Sequence, residues 1–91
     1  MVWQIEYTST SLKQLSKLDK SAAKKIVDFM DECIAVLQDP RDTGKALTGI
    51  MLGAYWRYRV GDFRVICDIQ DKKLCVLVVE LGSRKDVYTK H

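Results

Sequence analysis

The segment YWRYRVGDFRV, residues 55–65, alternates large and polar side chains with period two, which predicts strands and not a helix. Gly61-Asp62 stands between two such runs, and a two-residue loop with glycine first suits a type II′ hairpin turn. With that loop, Val60 faces Phe63, Arg59 faces Arg64 and Arg57 faces Ile66. Side chains alternate along a strand, so all three arginines share one face of the hairpin. The opposite face carries Trp56, Tyr58, Val60, Phe63, Val65, Cys67 and Ile69 and is expected to be core. Like charges directly across a strand pair cost a few tenths of a kcal/mol up to ~1 kcal/mol, and Asp68 is the only acid on the arginine face of this hairpin. Two readings are open. The arginines are ordinary solvated surface, or they form an anion site, for which phosphate is the natural ligand because Arg binds it bidentately.

The flanking sequence supplies the rest of the fold. VWQIEYT, Val2 to Thr8, alternates as a first strand. A short helix follows, with Ser9 or Ser11 as N-cap and Leu12, Leu15 and Leu18 on one side. A second helix carries Ala23, Ile26, Val27, Met30, Cys33, Ile34 and Leu37 as one apolar stripe, and Asp39-Pro40 stops it because the residue before proline avoids the helical region. Phe29, Val36 and Ala22 flank that stripe, either to pack on the first helix or to meet a partner. Pro40 to Ala54 is a long connection with glycines at 44, 49 and 53, of a length often tied to function. After the hairpin, Asp71-Lys72 turns into LCVLVVEL, Leu74 to Leu81, apolar on both sides as a central strand is. The predicted fold is α+β: an N-terminal strand, a two-helix hairpin, then a three-stranded antiparallel meander. The helices pack on one face of a single antiparallel sheet. They cover the face of Trp56, Phe63, Val65 and Cys67, and the arginine face is expected to stay open.

The 91 residues fit one domain, 1–91, with one core. A composition of 47% hydrophobic and 30% charged residues reads as a soluble globular chain. No apolar run approaches a membrane span and MVWQIEY has no signal-peptide layout, so a cytoplasmic protein away from membranes is expected. Cys33, Cys67 and Cys75 form no CxxC pair, and free thiols in a reducing compartment fit better than disulfides; Cys33 and Cys67 are expected in the core. The single histidine is His91, so zinc and thiol–histidine catalysis are disfavoured, and no Asp/Glu/His cluster suggests a metal site or cofactor. The net charge of +3 is mild, and any nucleic-acid affinity has to come from local clustering.

KALTGIMLGAYWRYRVGDFRVICDI followed by LGSRKDVY resembles the RelE-type toxins of bacterial type II toxin–antitoxin systems, within the RelE/ParE superfamily. The resemblance covers nearly the whole chain and rests on the order and spacing of its pieces. It implies a ribosome-dependent endoribonuclease, an mRNA interferase that cuts mRNA in the ribosomal A site and is neutralised by a RelB-like antitoxin. It also implies that the toxin–antitoxin complex binds its own operator DNA. The family's two basic residues on the strand before the turn fall on Arg57 and Arg59, the arginine after the turn on Arg64, and the C-terminal arginine and tyrosine on Arg84 and Tyr88. Those five are the expected catalytic set. Lys45 and Lys85 are expected to join Arg57 and Arg59 in binding RNA, and His91 is a candidate acid or base. Arg stands where the family usually has Lys at the first two positions, and a guanidinium stays charged, which makes it a poor proton acceptor. The segment between Arg84 and Tyr88 is also shorter than the family's.

The chemistry of the residues agrees with this implication. RNA is cut by in-line attack of its own 2′-OH on the adjacent phosphate, which requires neutralised phosphoryl oxygens, a route for two protons and alignment. Arginines supply the first, and a ribosome holding the codon supplies much of the third. The reaction is therefore expected to need no metal ion. Two rival readings remain: a ParE-branch toxin acting on DNA gyrase, and a nucleic-acid-binding module without chemistry.

Overall fold

The computed structural model describes residues 2–47 and 55–83. In chain order the elements are β1 (Gln4–Tyr7), α1 (Ser9–Ser16), α2 (Lys20–Phe29), β2 (Lys45–Ala46), β3 (Trp56–Val60), β4 (Phe63–Gln70) and β5 (Cys75–Ser83). One five-stranded sheet runs in the order β1-β5-β4-β3-β2. The β3–β4 hairpin has the register expected of its turn: Val60 opposite Phe63, Arg59 opposite Arg64, Arg57 opposite Ile66. Gly61 has φ 59° while Asp62 is not left-handed, which selects the II′ turn over I′.

Three features of the sheet depart from the sequence expectation. First, β1 pairs with β5 in parallel, Gln4 opposite Cys75 through Tyr7 opposite Val78, so the sheet is mixed and not antiparallel. A tight turn enforces antiparallel pairing, whereas a strand separated by a long helical excursion is free to enter in parallel. Second, the long connection contributes a strand of its own: β2 pairs with β3, Lys45 opposite Arg57 and Ala46 opposite Trp56. Third, β4 and β5 slip register after Ile66, which pairs with Glu80, while Cys67 pairs with Val78; Val79 is the extra residue of a β-bulge.

The first strand ends early, at Tyr7, and Thr8 takes the N-cap position in place of Ser9 or Ser11: its hydroxyl accepts from the Ser11 N–H at 3.1 Å. Asp19 caps α2 in the same way, accepting from the Ala22 N–H at 2.8 Å. Beyond Phe29 the helix runs on as a π-helical turn, Met30–Ile34, closed by the Ala35 N–H on the Met30 carbonyl at 2.9 Å. The wider turn rotates the apolar stripe, so Ile26, Met30 and Ile34 are fully buried while Cys33, expected in the core, is exposed. These side chains pack against Tyr58, Val65, Cys67, Val76, Val78 and Leu81 of the sheet. Phe29 turns its ring edge to Tyr58, with centroids 6.2 Å apart and planes at 62°. Phe29 therefore packs on the sheet, and Val36 is 58% exposed.

The arginine face is only partly open. Leu47, Tyr55 and Ile66 form a second small apolar cluster there, and Arg64 is 3% exposed. No described helix is long and apolar enough to cross a membrane.

Candidate functional site

The register places the basic side chains in two neighbouring rows on the face opposite the helices. One row runs Lys45, Arg57, Ile66, Glu80 across β2, β3, β4 and β5; the next holds Arg59, Arg64 and Gly82. Neighbouring strands lie about 4.8 Å apart and alternate residues about 7 Å, so one phosphate can meet two guanidinium groups. Arg59 is exposed, Arg57 half-buried and Arg64 buried. Two clefts flank Arg59. One of about 300 Å³ lies towards Lys45, Arg57 and Phe29, and one of about 140 Å³ lies at the hairpin tip beside Arg64 and Asp62. A cationic face with concave ground on both sides suits a polyanion threaded along it.

Lys45 reaches this face because the chain before it is fastened down. Trp3 Nε1 donates to the Gln38 carbonyl at 3.2 Å, the Tyr58 hydroxyl to the Pro40 carbonyl at 2.7 Å, and Trp56 Nε1 to the Thr43 carbonyl at 2.7 Å. Arg41 adds a two-pronged pair, Nη1 to Asp71 Oδ1 at 2.9 Å and Nη2 to Oδ2 at 2.8 Å. That guanidinium holds the Asp71 carboxyl below its usual range, and burial pushes the Tyr58 hydroxyl well above its own. Gly44 makes the crossing possible. Its φ is 82°, and a Cβ there would lie 2.5 Å from the Arg57 carbonyl and 2.7 Å from Trp56 Nε1.

Of the residues predicted from sequence, Arg57, Arg59, Arg64 and Lys45 come together on this face. Arg84, Lys85, Tyr88 and His91 lie outside the described residues. The Cys67 thiol is buried among apolar side chains, which pushes its pKa up and makes it inert. Among the described residues no three His, Cys, Asp or Glu side chains gather as a metal site. Glu80 was missed. The sequence carried no signal for it: LCVLVVEL is apolar on both sides, and the bulge shows only in the joint burial of Val76, Val78 and Leu81.

The family model described as the ParE toxin of type II toxin–antitoxin systems, parDE, matches residues 5–88. A RelE-like toxin protein of Escherichia coli is 28% identical over 90 residues, which is 97% of this chain and 92% of that protein. Among solved structures, the RelBE2 toxin–antitoxin complex from Mycobacterium tuberculosis superposes with a TM-score of 0.83 at 23% identity, covering 92% of this chain and 93% of that one. The archaeal RelE–RelB complex from Pyrococcus horikoshii superposes with a TM-score of 0.71 at 25% identity, covering 92% and 97%.

Proposed function

The chain belongs to the ParE toxin family of type II toxin–antitoxin systems, within the RelE/ParE superfamily, and from that premise we propose that it is an endoribonuclease cutting mRNA in the ribosomal A site. One observation carries the reading: Lys45, Arg57, Arg59 and Arg64 occupy adjacent rows of one sheet face. Cations fixed beforehand around a phosphate stabilise the charge that builds on its oxygens as the 2′-hydroxyl attacks. Arg84 and Tyr88 complete this set in the proposal, Arg84 on the phosphate and Tyr88 stacked on a base. Lys85 adds a phosphate contact. The reaction runs without metal ions, and the ribosome supplies the alignment that free RNA lacks. Relatives solved as RelE–RelB complexes support a RelB-like antitoxin as partner, an acidic segment that folds on binding. The toxin acts in the cytoplasm, and the complex binds its own operator.

Mapping mRNA ends in a purified translation reaction tests this. Cuts confined to the A-site codon are expected, with free RNA left almost intact and its slow cleavage unaffected by EDTA. The family model's own description favours a second reading, a ParE-type toxin acting on gyrase. Gyrase-linked DNA breaks with intact mRNA would select it.

A further inference from the structure

Glu80 is on the basic face because β5 is broken. Val76 and Val78 are fully buried in the core, and in an unbroken strand Glu80 would share their face. The extra residue Val79 resets the alternation, so Leu81 takes the next core position, 1% exposed, and Glu80 turns outward into the row of Ile66 and Arg57. The bulge is a built feature held from α1 and its cap. The Thr8 hydroxyl donates to the Val79 carbonyl at 2.9 Å, the Thr8 N–H to the Val78 carbonyl at 3.0 Å, and Gln14 Oε1 accepts from the Leu81 N–H at 2.7 Å. Bulges commonly re-aim one side chain beside an active site.

We propose that Glu80 is the general base of the cleavage reaction, taking the proton of the attacking 2′-hydroxyl; this rests on the nuclease reading above. The arginines cannot take a proton, and the carboxylate in their row can. Along the backbone Glu80 lies two strand spacings from Arg57, about 10 Å, and Arg64 is its diagonal neighbour, at about 7–8 Å. A phosphate bound to either guanidinium through a charge-assisted bond of about 2.8 Å is therefore within reach of the Glu80 side chain, which takes the 2′ proton across a contact of about 3 Å. As the bond from O2′ to phosphorus forms, the 2′ proton passes to the Glu80 carboxylate. The bond from phosphorus to O5′ breaks with its electron pair on O5′, which takes a proton from water. Glu80 then returns its proton to the hydroxide left behind, and the products are a cyclic phosphate and a 5′-hydroxyl.

The test compares wild type, Glu80→Gln and Glu80→Ala on programmed ribosomes, with thermal unfolding as a check on folding. Glu80→Gln should lower kcat about 10²–10⁴-fold and leave KM within about threefold. Glu80→Ala should regain activity in added carboxylate, more in acetate than in the less basic formate, and none in chloride at equal ionic strength. Wild-type cleavage with an equally active Glu80→Gln, or rescue by chloride as good as by acetate, would overturn the assignment and leave the nuclease reading standing. No cleavage by wild type would overturn both.

Discussion

Gly44 and Gly61 both have positive φ, 82° and 59°, yet they are constrained very differently. A Cβ at Gly61 meets nothing within 4 Å, whereas at Gly44 it would collide with the Arg57 carbonyl and the tethered indole of Trp56. Gly61→Ala should therefore cost about 1 kcal/mol, the ordinary left-handed penalty, and Gly44→Ala about 2–4 kcal/mol, from strain and overpacking together. Urea unfolding of the two variants measures the gap directly. At this scale the hairpin was readable down to each facing pair, because a two-residue glycine turn leaves one register. Arg64 was less readable. The charge pattern marked it as exposed like Arg59, but its burial depends on packing along the same face as Leu47, Tyr55 and Ile66, which no local pattern encodes.

The helices and β1, β3 and β4 were visible as periods in the sequence and β5 as an apolar run, and β2 was not. Two residues are too few for a period of two to register, and what holds β2 in place is the set of donors Trp3, Tyr58 and Trp56 acting on backbone carbonyls, acceptors every residue carries. Removing one donor from this strap should be felt. Tyr58→Phe leaves the buried Pro40 carbonyl without its 2.7 Å bond and should cost about 1–3 kcal/mol. Trp56→Phe, which loses the Thr43 bond and some packing, should cost about as much. Because both hold the same segment, the double variant should lose less than the sum, by about 0.5 kcal/mol or more, in a denaturant double-mutant cycle. The bulge in β5 escaped notice for a related reason: a strand apolar on both faces conceals a change of phase.

For the molecule as a whole, buried tyrosines and a buried thiol, together with two hydrogen-bonded surface carboxylates, set a window of stability. Burial, with lesser contributions from Asp31 and Cys67, pushes the Tyr7 hydroxyl from its ordinary 10.0 up to about 12, and burial also raises Tyr58 and Cys67. A raised pKa means the fold favours the protonated form, so this stability is complete below the unfolded values of about 9 to 10 and is lost as pH climbs through the folded ones. On the acid side the sign reverses. Asp19 and Asp71 are held low, by the Ala22 N–H and by Arg41 respectively, and their contribution disappears as pH drops below about 3.8. Melting temperatures should form a plateau between roughly pH 4 and 9, with Tyr7→Phe flattening the alkaline fall. Among the described residues the buried Tyr7 hydroxyl has no hydrogen-bond partner, so that substitution should leave the plateau itself as high or slightly higher. The fold class, and which face the helices cover, were legible at this scale because apolar stripes have to meet. The direction of β1 was not, since nothing near Tyr7 specifies which strand it joins. That pairing bears on how the protein is made. Translation delivers β1 well before β5, the strand it pairs with. Until β5 emerges, β1 lacks its partner in the sheet, and Glu80 has not joined the row of Ile66 and Arg57. The β3–β4 hairpin with its arginines therefore leaves the ribosome ahead of the strand that completes the proposed site.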